Sequence, residues 1–164
     1  MGFSVSASFA ILMISTLIAV SILYTSFEET YLEVSSSKEA HDSLSVMKLN
    51  SRLDIANWSY LENGSYYNVY FNLTNEGSLL RPNYWDVLYD GIINSNYISL
   101  ESREYMLPGE SIELNVTNIP KTTQIHSIVA TTEYGCSLKI KWTWDNQTNQ
   151  TKLLSESWYC PLEG

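Results

Sequence analysis

The longest apolar stretch of the chain lies at its start. Residues Met1–Phe27 contain no Asp, Glu, Lys, Arg or His, and charge returns at Glu28 and Glu29. A helix from Phe3 to Tyr24 rises about 33 Å, at about 1.5 Å per residue, which is enough to cross a hydrocarbon core of about 30 Å. The pattern therefore predicts a membrane-spanning helix over residues 1–27.

Two other interpretations of this stretch are weaker. A cleaved secretory signal begins with a basic segment, and only Met1 and Gly2 precede the apolar residues here. A buried helix of a soluble domain has a polar stripe, whereas the Ser residues of this stretch are spread around all faces of the helix. We therefore expect the stretch to anchor the chain in a membrane.

The next segment, residues 28–50, has a helical pattern without an apolar run. It contains neither Gly nor Pro, and the spacings Tyr31 to Val34 and Leu44 to Met47 fit a continuing helix. The run Ser35–Ser37 is a poor helix interior. A helical stalk and a flexible stalk therefore both remain open for residues 28–50.

From about Leu53 the period of the pattern changes to two. The segments Tyr66–Leu73, Ser111–Val116 and Cys136–Trp144 alternate apolar and polar residues, which is typical of half-buried strands. The residues predicted to face the core are Tyr67, Val69, Phe71, Leu73, Ile112, Leu114, Val116, Cys136, Leu138, Ile140, Trp142 and Trp144.

Turn signals separate these strands. They occur at Glu62–Gly64, Asn75–Gly77, Asp90–Gly91, Asn94–Asn96, Pro108–Gly109 and Tyr134–Gly135. Short strands with frequent turns predict an antiparallel β-sandwich over residues 51–164. Trp85, Trp142, Trp144 and Trp158 supply bulk for its core, and we prefer that role to an aromatic ligand site.

Asparagine acceptor sites for glycans occur six times, at Asn57, Asn63, Asn72, Asn115, Asn146 and Asn149. The alternation places Asn72 and Asn115 on outward faces, where a glycan fits. Asn57 shares its parity with the inward Leu53 and Ile55, so we expect the strand to end or bulge before it.

The two cysteines, Cys136 and Cys160, form an even pair beyond the predicted anchor, which favours a disulfide in an oxidising compartment. Such a bridge clamps the last strand to an inner one and contributes about 3 kcal/mol in the chain-entropy model. A reactive cysteine needs a base, and the candidates His41 and His126 are poorly placed; two Cys and two distant His do not make a zinc site. The cysteines and acceptor sites together predict that the domain lies outside the cell.

Charge and motif content exclude several classes of function. The formal net charge is −9 and the calculated pI is about 4.5, which argues against nucleic acid or anionic lipid as a partner of the domain. No phosphate-binding loop, HExxH, GxSxG or CxxC motif is present, and Glu28 with Glu29 marks a membrane boundary. We expect no enzymatic activity, catalytic residue, metal or cofactor.

The N-terminal residues Met1–Ser8 (MGFSVSAS) run directly into the apolar helix. This start, followed by one β-rich exterior domain, resembles the archaellin-like accessory proteins of the archaellum, the archaeal motility filament, and among them its stator component. The resemblance implies a single-pass protein in the membrane lipid with a cytoplasmic N-terminus. It also implies an immunoglobulin-like sandwich beneath the surface layer, binding to the surface-layer protein and to other archaellum components, and homodimerisation.

Three alternatives stay open beside the stator. A filament-forming archaellin or pilin is made with a basic leader that does not precede this helix, and we expect its core helix to stay more apolar than Glu28, Glu29 and Glu33 allow. A sister accessory protein of the archaellum has the same layout. A surface adhesin needs a concave aromatic site that the sequence does not reveal.

Overall fold

The computed structural model describes residues 3–93 and 96–161. Met1 and Gly2 of the N-terminal motif, and Asn94 and Ser95 of one predicted turn, lie outside this range. Within it the residues group into two units, one ending at Ser43 and one beginning at Leu44. The second unit includes the C-terminal end of the helix, from Leu44 to Leu49.

A single helix, α1, occupies Phe3–Leu49. Residues 28–49 are therefore helical, and the run Ser35–Ser37 does not interrupt them. Hydroxyl groups along α1 donate to carbonyl groups three or four residues earlier, as Ser21 does to Leu17 at 2.9 Å and Ser36 to Glu33 at 2.9 Å. These bonds satisfy small polar groups within the helix, which explains why they do not end it.

The N-terminal part of α1 has the length and composition of a membrane span. The stretch Ala7–Leu49 contains an 18-residue window with a mean hydropathy of 2.2, and none of that window is buried within the protein. Apolar side chains exposed in this way are stable in lipid. The predicted transmembrane helix is confirmed in this sense.

Nine strands follow the helix in the part of the chain that the structure describes. Their bounds are β1 Leu53–Asn63, β2 Tyr66–Asn75, β3 Asp86–Tyr89, β4 Ile92–Ile93, β5 Ile98–Leu100, β6 Ser111–Pro120, β7 Ile125–Thr131, β8 Ser137–Asp145 and β9 Gln150–Tyr159. A short 3-10 helix at Pro82–Tyr84 precedes β3.

The strands form two antiparallel sheets. One has the order β1-β2-β6-β5 and the other the order β4-β3-β7-β8-β9. The predicted all-β sandwich is therefore confirmed. All of the residues predicted to face inward on β2, β6 and β8 are buried, each with at most 2 % of its surface exposed. The two sheets meet where the ring centroids of Phe71 and Trp142 lie 5.3 Å apart.

A β-bulge in β1 resolves the parity conflict at Asn57. The pairing of β1 with β2 shifts between Ile55 and Asn57. Beyond the shift Trp58 and Tyr60 turn inward, while Asn57 is exposed. The bulge predicted before Asn57 is confirmed.

The chain enters the sheet through a tight turn. Asn50 donates its backbone N–H to the carbonyl of Val46, and the carbonyl of Asn50 accepts the backbone N–H of Ser78 at 2.7 Å. Gly77 packs directly against the backbone of residues 50–52, where a Cβ atom has no room. The end of α1 is therefore held against the loop that follows β2.

Candidate functional site

A concave feature of the sandwich lies between strands β1 and β9, which are free edges of different sheets. Near the start of β1 the two edges are joined, because the backbone N–H of Ile55 donates to Glu156 Oε1 at 3.0 Å. At the other end of β1 a cleft of about 740 Å³ lies between them. The cleft is lined by Trp58, Ser59, Tyr60, Leu61, Glu62, Gln150 and Thr151.

A row of aromatic rings forms the apolar side of this cleft. Trp58 and Tyr60 are half-buried, with ring centroids 6.5 Å apart and planes inclined by 28°. Tyr60 meets the buried Trp144 edge-on at 6.0 Å. The bulge described above turns Trp58 and Tyr60 into this position. The cleft can therefore offer ring faces to a ligand while the buried Trp144 packs against Tyr60 from the core side.

Polar groups border the same rings. Lys121 Nζ lies 2.6 Å from Glu62 Oε2 and 4.9 Å from the centroid of the Trp144 ring. Glu62 and Gln150 stand on opposite sides of the cleft. This mixture of ring faces, a carboxylate and an amide suits a ligand that is partly apolar and rich in hydroxyl groups.

The joined end of the two edges carries a pair of carboxyl groups. Burial raises the pKa of Glu156, and the neighbouring Asp54 raises it further through a hydrogen bond and through its charge. The backbone N–H of Ile55 and the charge of Arg52 act in the opposite direction. The contact between β1 and β9 thus places the Glu156 carboxyl where burial and the neighbouring acid disfavour its charged form.

The six acceptor asparagines fall into two groups. Asn57 and Asn72 are directly paired across β1 and β2 on the outer face of the four-stranded sheet, and Asn115 lies on β6 of the same sheet. Asn63 ends β1, while Asn146 and Asn149 lie in the turn between β8 and β9. Glycan occupancy of all six stays a prediction.

Asn115 is less open than the alternation predicts. It faces outward but is half-buried, and its Nδ2 donates to Glu113 Oε1 at 2.8 Å. Its Oδ1 is buried without a hydrogen-bond partner. Neighbouring side chains on the sheet surface thus cover Asn115, whereas Asn72 is exposed.

The two cysteines lie together. Cys136, just before β8, and Cys160, just after β9, are joined as a disulfide with their Cα atoms 4.1 Å apart. Cys160 Sγ lies 3.2 Å from the carbonyl oxygen of Lys48 in the last turn of α1. The bridge therefore connects the ends of two adjacent strands at the point where the helix ends. The redox state of the pair in cells stays a prediction.

His126 belongs to a buried cluster that sequence reasoning missed. Its Nδ1 lies 2.8 Å from Asp90 Oδ2 and 2.9 Å from Tyr89 Oη. Asp90 sits in the left-handed region (φ 48°) and its Oδ1 also accepts the backbone N–H of Ser127 at 2.7 Å. Asp90–Gly91 was recognisable as a turn and His126 as a strand residue, but nothing local indicates that they meet.

The surroundings of this cluster favour the neutral phenol groups of Tyr67 and Tyr89. Burial raises the pKa of Tyr67 to about 12 and raises that of Tyr89 even further, and the nearby carboxylate of Asp90 adds to both effects. The Nε2 atom of His126 is buried without a hydrogen-bond partner. The imidazole is thus held from one side only, inside the core. Among residues 3–93 and 96–161 no group of three or more His, Cys, Asp and Glu side chains is arranged to hold a metal ion.

A family model for archaeal-type flagellin matches residues 2–142. The chain belongs to the archaeal-type flagellin family. The resemblance noted at the N-terminus is thereby confirmed at the level of the family, and the protein is an archaellum component. No curated protein matches the chain.

The residue at which the match to the archaeal-type flagellin family ends is also informative. It covers α1 and strands β1–β7 and stops within β8 at Trp142. Strand β9, Cys160 and the Gln150 side of the cleft lie beyond it. Membership of the family therefore supports a membrane-anchored archaellum component that interacts with other archaellum components, while the cleft and the disulfide have to be understood from this chain itself.

Proposed function

We propose that this protein is a stationary, stator-type component of the archaellum, fixed in the membrane by α1 and bound to the surface-layer protein by its sandwich. The observation that carries the choice is the change of character along α1. Its first part is uncharged, and from Glu28 onward it carries exposed charged side chains, including Glu33 and Lys38. Charges packed into the dry core of a filament are costly, whereas on a stalk they stay in water.

The mechanism follows from two points of attachment. A rotating filament needs a support that does not rotate, and a protein held both in the membrane and on a surface lattice transmits the reaction torque to the envelope. The contact can be of modest affinity when many copies act together. The paired cysteines and the acceptor asparagines support a sandwich outside the membrane with the N-terminus in the cytoplasm, and the resemblance supports a homodimer.

A filament-forming archaellin is the second candidate, and one observation favours it. After the first charged residue, Glu28, α1 still exposes large apolar side chains, such as Leu32 with 60 % of its surface exposed and Val34 with 63 %. In a filament these side chains would be covered by neighbouring copies, and exposed apolar surface of this kind is often an assembly surface. Family membership fits this candidate as well as it fits the stator.

Quantitative mass spectrometry of sheared filaments decides between the two. We expect deletion of the gene to abolish or cripple swimming while the surface layer stays intact. We expect the protein to remain with the cell bodies at low copy number. We also expect the full chain, purified in detergent, to bind isolated surface-layer protein. Recovery of the chain as a major component of sheared filaments overturns the stator proposal.

A matched pair of variants in α1 gives an independent test. Leu32→Glu adds a charge at a position that is exposed in a stalk but buried in a filament core, and Glu33→Gln is the neighbouring control. The stator proposal expects both variants to swim. Loss of swimming in Leu32→Glu alone, with normal amounts of protein in the membrane, favours the filament subunit.

A further inference from the structure

The cleft between β1 and β9 is bordered directly by acceptor asparagines. On one side its lining ends at Glu62, and the next residue is Asn63; on the other side it begins at Gln150, and the preceding residue is Asn149. Asn146 lies in the same turn as Asn149. Two sites of attachment therefore flank one aromatic cleft from opposite sides.

The chemistry of the cleft matches that of a sugar chain. A pyranose ring has an apolar face of C–H groups, which is attracted to the electron-rich face of an aromatic ring, and a rim of hydroxyl groups. Trp58 and Tyr60 supply the rings, and Glu62, Gln150 and Ser59 supply hydrogen-bonding groups around them. An opening of about 740 Å³ is large enough for several sugar units.

We propose that the occupant of this cleft is an N-linked glycan of the chain itself, attached at Asn63 or Asn149 and folded over Trp58 and Tyr60. A glycan attached one residue away from the lining is present at a high effective concentration, so it outcompetes a free saccharide of the same composition. The inference rests on the exterior position of the sandwich proposed above. It assigns the hairpin sites a role at the end of the cleft that Glu62 and Gln150 form, whereas Asn57 precedes Trp58 at the other end of the lining and pairs with Asn72 on the outer sheet face.

Asn72 provides the comparison for this role. It is exposed on the outer face of the four-stranded sheet and does not line the cleft. Asn72 lines a separate hollow of about 350 Å³ on that face together with Trp58 and Ser59, so a glycan at Asn72 can reach this tryptophan but not Tyr60 or Gln150. The proposal therefore expects glycans at the hairpin asparagines to stabilise the sandwich and a glycan at Asn72 to stabilise it less than half as much.

The test uses the full chain purified from the membranes of archaeal cells that produce it. Glycopeptide mass spectrometry should find Asn63 or Asn149 occupied. The double variant Asn63→Gln and Asn149→Gln should lower Tm by roughly 4 °C, the shift that a loss of about 1 kcal/mol gives in a domain of this size. Because Asn149 has a φ of 52°, where Gln is strained with or without a glycan, this fall is measured relative to the same variant and parent chain made in cells without N-glycosylation. The comparison variant Asn72→Gln, which leaves the hairpin glycans and the contact with Tyr60 in place, should lower Tm by less than half as much.

Variants of Tyr60 separate ring stacking from a general effect of glycosylation. In a Tyr60→Leu background, which keeps bulk but removes the ring, the loss of the hairpin glycans should shift Tm by less than half as much. Tyr60→Phe, which keeps the ring, should restore the full difference. An equal glycan effect in all three backgrounds overturns the proposal.

Three further outcomes also overturn it and leave the stator proposal to its own test. The first is a glycan at Asn72 with Asn63 and Asn149 both unmodified. The second is the absence of glycan at every acceptor site. The third is tight binding of added oligosaccharide by the fully glycosylated protein, since that result requires an open cleft and suits an adhesin.

Discussion

The two sheets of the sandwich are alike on the inside and different on the outside. Their inner faces carry aliphatic and aromatic residues that are buried or half-buried in one core. The strands of the four-stranded sheet carry no Lys or Arg, but four of the six acceptor asparagines. The strands of the five-stranded sheet carry Lys139, Lys141 and Lys152 and no acceptor asparagine.

This difference shows where the sequence is free to vary. An inward position has to fill the core, so both sheets converge on the same residue types. An outward position has no such requirement, and its composition reflects what the face meets. Within the described residues Arg52, Arg103 and Lys121 are engaged with carboxylates, whereas Lys139 and Lys141 take part in no ion pair. The outer face of the four-stranded sheet is thus suited to carry glycans, and the five-stranded sheet carries two lysines, Lys139 and Lys141, without an ion-pair partner among the described residues.

The core that the two sheets share can be tested at the contact between Phe71 and Trp142. Phe71→Ala in the four-stranded sheet and Trp142→Ala in the five-stranded sheet should each lower the free energy of unfolding by about 3–5 kcal/mol. Because the two rings touch, the double variant should cost less than the sum. Chemical denaturation of the full chain in detergent measures this. The exposed Ile125→Ala serves as the control, and strict additivity would mean that the two inner faces are independent.

The disulfide gives the next comparison, because it links two strands of the five-stranded sheet and none of the four-stranded sheet. Cys160→Ser should lower the free energy of unfolding by about 3 kcal/mol, and Cys136→Ser should have the same effect, because either change opens the same loop. Non-reducing intact-mass analysis should show the protein lighter by the hydrogens lost on oxidation. Two thiols that alkylate in the native protein, or a covalent dimer through them, contradict the pairing.

Alkaline pH tests the tyrosines that the two sheets bury against each other. The folded-state pKa of Tyr67, about 12, lies above the ordinary value of 10 because of burial, so folding favours the neutral phenol. This stability is complete below pH 10 and is lost as the pH rises from 10 through about 12, at about 1.4 kcal/mol per pKa unit. Tyr67→Phe should flatten the fall of stability above pH 10.

The exposed Tyr159→Phe is the control for that experiment. Removing its hydroxyl group should leave the dependence of stability on pH between 10 and 12 unchanged. An equal loss of slope in both variants would show that burial at Tyr67 is not its cause. Urea denaturation at a series of pH values provides the measurement.

The smallest effect is expected on the outer face of the five-stranded sheet. Lys139→Gln combined with Lys141→Gln should change the free energy of unfolding by no more than about 0.5 kcal/mol, because neither amine has an ion-pair partner. Arg103→Gln, which breaks contacts of 3.0 Å with Glu101 and 3.8 Å with Glu110, is the comparison and should cost up to about 1 kcal/mol. A larger loss of unfolding free energy in the lysine variant would show that these lysines stabilise the folded state.

Sequence reasoning succeeded where one local pattern decides the structure. The uncharged run gives α1 its first part, and period two gives the buried faces of β2, β6 and β8. The parity conflict at Asn57 even revealed the bulge in β1. It failed where residues distant in the sequence have to meet. His126 reaches Asp90 only through the pairing of β3 with β7, and the cleft exists only because β1 and β9 are neighbouring edges of different sheets. No local pattern encodes the order of strands in a sheet.

The position of β1 has a mechanical consequence. Tension that travels along α1 meets the sandwich where Asn50 is bonded to Ser78 and passes from there into β1 at Leu53. β1 runs antiparallel to β2 through ten registered residue pairs. If the opposite grip is at the far end, near the hairpin after Asn63, the pull is parallel to the strand and loads these pairs in shear, all at once. If the grip is on β2 near Asn75, beside the point of entry, the same pull opens the pairs one after another like a zipper. The place at which a partner holds the sandwich therefore decides how much force it withstands.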